Sequence, residues 1–525
     1  MKSYSQHLNS TQEFGEKVNI LKKPILLSSA IFPVIHKEFY SSSIHFLGYW
    51  LLKRNIPEVT LVITLRNTDG NTLSRQTQII DSAKAFSINL DEILDEINHM
   101  DDSFLGSIET EFHTTRDMVF PYPALVLEYK NAQFNTCVHT LGRIYNDLED
   151  LKENSSTLVP ETGFDINEND DLKSFLSFVN GPLENKDGKI EYTLTNSNSE
   201  KSSGVFHIGK INPFETKLLY FNEHITNLAE FLKNSSGSIS LKHNFEGFYP
   251  RLLVGNIQKS SPSVSFTHSY YDCTSCVTES DYWSRIDENH LDSSIYVPIF
   301  NTNNQFTNLI IYPNMSPSSV TLKIDLHDKN GKKIIENSNF LKIDTSEKKL
   351  TKINLNDLIP STNYLNDELA AHVIANFENN KIPSRIKFGL NVGNHESDFK
   401  LPCNICFNMR MGNPLIENKP GSFHWAPIFS ERNTVLALGN FSTLKNYEKT
   451  ANLELNFYRI EDSSNFSKKI SILPNSEKRF SIDDFDLKKF LKTEGWVTIK
   501  ADSPYIHGYY FNLNSSGSIS GDHIF

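Results

Sequence analysis

Four stretches of this chain, beginning near Ile44, Ser174, Ser294 and Phe423, pass through the same features in the same order. Each reads as an alternating strand, a polar turn, another strand, a short acidic amphipathic stretch, a strand begun by a small residue, a strand begun by proline, and a last strand. Repetition of this kind constrains architecture before any motif does, because each copy must fold as the same supersecondary unit. A residue then becomes informative through its place in the unit.

The openings are HFLGYWLL from His45, SFLSFV from Ser174, SIYVPIF from Ser294 and FHWAPIF from Phe423. The second strands, from Val59, Gly188, Val320 and Ala451, place apolar residues at every second position, the period of a half-buried strand. Asp69-Gly70 and Asn330-Gly331 follow two of them and suit tight hairpins. Acidic stretches then place Asp91, Asp357 and Asp484 where a helix N-terminus favours them. The longest helical pattern lies around 224–233. Gly106, Gly237, Ala371 and Gly495 begin the next strands, and Pro123, Pro250, Pro383 and Pro504 begin or flank those after. His372 and Trp496 occupy one slot of this pattern, and one of them is expected to be exposed. The units end on TCVHT, SFTHS, CNICF and SGDHI, which sets His139, His268, Cys406 and His523 in one structural column.

The expected fold is therefore all-β, with four tandem sandwich repeats and short helical turns. The boundaries are an N-terminal extension at 1–43, repeats at 44–147, 174–272, 294–406 and 423–525, an acidic linker at 148–173, a Cys-containing linker at 273–293 and a linker at 407–422. A length of 525 residues calls for several cores rather than one. In layer architecture the repeat resembles the immunoglobulin-like sandwich modules strung together in bacterial surface and glycan-associated proteins, without the buried Trp and paired Cys of a true immunoglobulin domain. That resemblance implies a non-catalytic scaffold or binding module whose partner is a glycan or a protein.

The net charge of −12, with Lys and Arg scattered, disfavours a nucleic-acid partner. No segment is apolar for long enough to span a membrane. The polar start MKSYSQHLNSTQEFGEK lacks a secretory pattern, and ILLSSAIFPVI reads as a lead-in strand, so the default location is cytoplasmic, with surface association by a signal-independent route as the other option. The acidic clusters at 147–153 and 165–171 read as solvated linker. DINENDD begins like a calcium loop but lacks the bend Gly and has Leu176 where a bidentate Glu would stand.

Chemistry concentrates in five cysteines, four of which form the pairs Cys273/Cys276 and Cys403/Cys406. Two thiolates from one turn can reach a single ion, and two such knuckles complete a tetrahedral zinc site with Zn–S of about 2.3 Å. A structural zinc is the expected cofactor. Strained disulfides or plainly buried thiols are the other readings. If the four units closed on themselves, His139, His268, Cys406 and His523 would form a second ligand set. Arg143, Tyr145, Tyr270, Tyr271, Asp272, Trp283 and Arg410 lie in or near loops that join units. They either present an aromatic and polar surface to a sugar or pack the junctions. A metal-dependent enzyme built on the Cys or His sets is the alternative function. No phosphate loop, HExxH or dinucleotide fingerprint occurs, and GSISG fails as a nucleophile elbow because its middle residue is Ile519.

Overall fold

The computed structural model describes residues 24–139, 143–144, 161–271 and 282–525, apart from 38, 100, 120–122, 246–247, 250, 262, 269, 286, 303, 314–317, 345–346, 365–366, 384–385 and 483–485. The chain is all-β and divides into two compact units, 1–271 and 272–525. Each unit holds two pairs of antiparallel sheets, called modules below.

In the first unit, module 1 comprises β1 (Leu27–His36), β2 (Ser41–Leu47), β3 (Val59–Asn67), β4 (Thr72–Ile80), β5 (Ala85–Asn89), β6 (Phe104–His113), β7 (Leu125–Lys130) and β8 (Asn135–His139). Module 2 comprises β9 (Glu161–Asn167), β10 (Leu172–Val179), β11 (Asn185–Asn196), β12 (Lys201–Ile211), β13 (Thr216–Tyr220), β14 (Ser236–His243), β15 (Leu253–Gln258) and β16 (Ser263–His268). In the second unit, module 3 comprises β17 (Ser293–Ile299), β18 (Gln305–Ile311), β19 (Val320–Asp328), β20 (Lys333–Ile343), β21 (Thr351–Asn354), β22 (Leu369–Phe377), β23 (Lys387–Asn394) and β24 (Cys403–Asn408). Module 4 comprises β25 (Ser422–Phe429), β26 (Thr434–Asn440), β27 (Ala451–Arg459), β28 (Asn465–Ile472), β29 (Glu477–Ser481), β30 (Glu494–Ala501), β31 (Ile506–Leu513) and β32 (Ile519–His523).

The strand orders are β1-β6-β3-β4 with β5-β2-β7-β8, then the same orders shifted by eight, sixteen and twenty-four strands. In modules 2 and 3 the ninth and seventeenth strands gain a short edge partner, Tyr270–Tyr271 and Arg410–Met411. The second strand never lies beside the first, unlike the A-B-E-D order of an immunoglobulin constant domain. In module 2 one cluster takes Phe164, Ile190 and Leu194 from the first sheet and Leu176, Phe178 and Val254 from the second, the signature of a sandwich.

Strand alternation directs these faces. Val59, Leu61 and Leu65 of β3, and Val320, Leu322, Ile324 and Leu326 of β19, are buried at every second place. Pro33, Pro298 and Pro427 lie within β1, β17 and β25, which are edge strands or strands next to a two-residue edge, where a missing N–H is tolerated.

Several sequence boundaries shift. Residues 27–36, expected in the extension, form β1, paired along its whole length with β6. Residues 161–167, expected in the acidic linker, form β9. His45–Leu47 of HFLGYWLL and all of SFLSFV thus belong to second strands, with Tyr49–Arg54 turning into a short helix, whereas SIYVPIF and FHWAPIF are first strands; a shared apolar alternation disguised the offset. Asp171, partly exposed, accepts from the amide and hydroxyl of Ser260 at 2.7 and 2.8 Å. The helical pattern around 224–233 is broken into Phe221–His224 and Leu228–Phe231 by Asn227, whose φ of 58° ends helical continuity. The helical turns expected at Asp91 are present as the helix Leu90–Glu96, with Asp91 in its first turn. His372 and Trp496 are both buried.

Both units join their modules in the same way. The last strand of the first module lies against the last strand of the second, β8 on β16 and β24 on β32. The hairpin glycine of the first module abuts a proline carbonyl of the second. A Cβ on Gly70 would stand 2.2 Å from the Pro213 oxygen, and one on Gly331 would stand 2.2 Å from the Pro474 oxygen. In the second unit the core of module 3 continues through its open edge into the outer face of the second sheet of module 4, bringing Tyr296, Phe300, Cys403 and Phe407 into one cluster with Ala437, Phe441, Tyr509 and Phe511.

Candidate functional site

Strand register brings out the column that ends the modules. Val126 pairs with His139 on one side and His45 on the other; Leu253 pairs with His268 and Ser177; Gly389 pairs with Cys406 and Ile310; Tyr509 pairs with His523 and Ala437. His45, Ser177, Ile310 and Ala437 each stand between two buried apolar residues of their strand: Ile44 and Phe46, Leu176 and Phe178, Leu309 and Ile311, Leu436 and Leu438. The four column residues therefore occupy one register position, on the sheet face turned away from the module's own core.

In the first unit, packing of β8 on β16 brings two of them together. Nε2 of His268 lies 3.2 Å from Nδ1 of His139, with ring centroids 4.1 Å apart and planes at 85°. Both residues are buried. Tyr129 and Phe266 also pack on each other across this junction, ring centroids 4.5 Å apart. Two pairs along the β7–β8 ladder, Glu128 is buried and bonded by His45 Nε2 at 2.9 Å and by Asn135 Nδ2 at 2.8 Å.

The cysteine pair resolved in the second unit is not a knuckle. Cys403 and Cys406 lie in the continuous strand β24, not in a turn. Cys403, Ile405 and Phe407 share the core side, and Cys406, three residues on, takes the other face. Burial, with Asp522 adding to it, pushes the Cys403 thiol well above its ordinary range, and its sulfur donates to the Gly521 carbonyl at 3.5 Å. Cys273 and Cys276 lie outside the described residues. Cys137, in β8, is buried.

Among the proposed binding residues, Tyr145 and Asp272 lie outside the described residues. Arg143, Tyr270, Tyr271 and Trp283 lie on two-residue ladders, with Tyr249, Thr162, Glu161 and Ile382 as their respective backbone partners. Arg410 packs the module junction: its guanidinium donates to the carbonyls of Pro504 at 3.2 Å and Ile506 at 3.1 Å.

Sequence reasoning did not find the remainder of that junction. Tyr296 donates its hydroxyl to Glu477, which Arg479 also binds, Nε to Oε1 at 2.6 Å. Arg479 donates to the Ile299 carbonyl at 2.8 Å and stands 4.6 Å over Phe300. Phe441 sits among Tyr296, His327 and His372. Burial lowers His372 to about 3, with like charge from His327, Lys323 and Lys333 adding to it. Burial also holds His507 well below its usual value, helped by Arg410, His424, His523 and His372. The available signal was polar residues at outward strand positions, such as Asp325 and His327 between Ile324, Leu326 and Asp328.

A second surface lies on the outer face of module 4. Asn452, Glu454, Lys469, Ser471, Lys500 and Asp502 line a groove of about 600 Å³ across β27, β28 and β30. Its polar groups stand in two cross-strand rows, because Asn452 pairs with Ser471, and Glu454 pairs with Lys469 and Lys500. Ser471 donates its hydroxyl to Oδ1 of Asn452 at 2.9 Å, and Asn452 donates Nδ2 and its backbone N–H to Asp502, both at 2.8 Å. Partial burial opposes ionisation of Asp502, but these bonds and Lys449 hold its carboxyl below the usual range. Among the described residues neither Lys469 nor Lys500 has an ion-pair partner. No described helix is long and apolar enough to cross a membrane. In comparisons with known proteins, no family model and no curated protein matches this chain.

Proposed function

We propose that this protein is a non-catalytic scaffold of four tandem β-sandwich repeats that binds a glycan through the outer face of module 4. The repeats are immunoglobulin-like in their two antiparallel layers over a shared core, with a strand order of their own. The groove on β27, β28 and β30 carries the reading. Its amide, hydroxyl, carboxylate and ammonium groups stand on a rigid sheet, and the Ser471–Asn452–Asp502 chain fixes donors and acceptors before a ligand arrives. Hydroxyl-rich sugars are recognised by such convergent polar groups. The junction role of Arg410 supports the packing side of the earlier choice for that residue and turns attention from the inter-module loops to this face.

A glycan array probed with the full chain, followed by calorimetry on the best ligand, tests this. Asn452→Ala and Lys500→Ala are expected to weaken binding at least about tenfold, the effect of losing one polar contact worth about 1.4 kcal/mol. Absence of any bound glycan, or unchanged affinity in both variants, overturns it.

A further inference from the structure

We propose that His139 and His268 together hold a divalent transition-metal ion of the zinc class at the junction of modules 1 and 2. The inference is independent of the glycan reading. Imidazole nitrogens sit about 2.0–2.1 Å from zinc, so two of them at a tetrahedral centre stand about 3.3 Å apart. Nε2 of His268 and Nδ1 of His139 are 3.2 Å apart. The ring planes meet at 85°, so the two imidazoles approach edge to face rather than stacked.

The fold delivers this geometry by register. Each histidine is the outward residue at the same position of its module, and the contact of β8 with β16 brings the two positions face to face. Both strands are fixed by complete ladders to their neighbours, so the imidazoles sit on rigid backbone rather than on loops. Paired imidazoles suit zinc, copper, nickel and iron, and not the hard ions that prefer oxygen. The two histidines supply two of the ion's positions and tie the last strands of two modules together, so the ion's first effect is on the stability of the first unit.

The test measures bound metal on the full-length chain, purified without an affinity metal column and dialysed against a weak chelator. About one equivalent of zinc-class metal is expected in the wild type, falling at least about fivefold in His139→Ala and in His268→Gln. Adding Co²⁺ to chelator-stripped protein should give the visible absorption of a nitrogen-ligated site in the wild type and not in His268→Gln. Circular dichroism checks that the variants remain folded. If either variant unfolds, the cobalt spectrum of the wild type decides alone. A metal-free wild type that gives no cobalt spectrum overturns the proposal and leaves a direct N–H···N bond between the rings. Metal that survives both substitutions also overturns it, by placing the ion elsewhere.

Discussion

The ring of Phe441 lies flat on that of Tyr296, centroids 5.1 Å apart and planes 8° from parallel. Phe441 follows β26 of module 4 and Tyr296 is in β17 of module 3, so this contact forms the centre of the junction in the second unit. His327 and His372 meet the same ring at 5.7 and 5.2 Å. Phe441→Ala should cost about 3–5 kcal/mol, the usual penalty for emptying a buried aromatic site. Urea unfolding of the full chain measures this, and a midpoint within error of the wild type would show that the stack contributes little.

The hairpin glycines make a second test. Gly70 and Gly331 have φ of 86° and 78°, and a methyl group at either would meet a proline oxygen at 2.2 Å. Gly209 has a similar φ of 77° but open space around it. Gly209→Ala therefore reports backbone strain alone, about 1–2 kcal/mol. Gly70→Ala and Gly331→Ala should lower the melting temperature further, because the clash pushes the two modules apart. Equal shifts at all three sites would mean that the tip contacts do not matter.

Acid should weaken both units. His372 and His243 are lowered by burial to about 3 and about 4, and His507 lies well below its ordinary value for the same reason. Between the unfolded value near 6.5 and these depressed values, the unfolded chain takes up protons that the folded chain refuses. Stability is thus full above about pH 6.5 and falls as the pH drops, by up to about 1.4 kcal/mol per pH unit for each group. Glu477, raised by burial against the pull of Arg479 and Tyr296, acts in the opposite sense. The comparison that isolates the histidine is wild type against His372→Gln: the variant should lose the equivalent of about one proton from the slope of stability between pH 6.5 and 4. Parallel slopes would refute the assignment.

Arg410 offers a fourth check. It gives two hydrogen bonds to carbonyls of the chain entering β31, at Pro504 and Ile506. Arg410→Met keeps much of the stem and removes both donors. The expected loss is about 2–4 kcal/mol, since two bonds from a charged donor disappear and two carbonyls lose partners. Arg410→Lys should recover only part of this, because an ammonium cannot span both oxygens in the guanidinium's plane. Full recovery by lysine would reduce the contact to simple charge.

The alternation in VTLVITLRN and VTLKIDLHD made β3 and β19 legible in the sequence, and Asp69-Gly70 and Asn330-Gly331 marked the hairpins that follow them. The common register of His139, His268, Cys406 and His523 was legible too, because a period of two leaves little freedom once one face must be apolar. First strands were harder. AIFPVI in the first module and YVPIF in the third share a proline edge pattern, yet the second module has no such proline, and the opening of the unit slid by one strand. The cysteine spacing misled for a local reason: Cys-x-x-Cys reaches one ion from a turn, whereas in β24 the same spacing sends the sulfurs to opposite faces. The polar row of Asn452 and Glu454 was present as the outward half of ANLELNFYR, but its pairing with Lys469, Ser471 and Lys500 depends on strands that only the folded sheet sets side by side.

The open edge of module 3 has a consequence for synthesis. A ribosome emits the chain from its N-terminus, so Tyr296, Phe300, Cys403 and Phe407 emerge well before Phe441, Tyr509 and Phe511 exist to cover them. At about 5–20 residues per second, the roughly 100 residues of module 4 take on the order of 5–20 s to follow. During that interval the nascent chain presents a finished sandwich with one apolar flank bare, the moment at which a holding chaperone or a second nascent chain would find it.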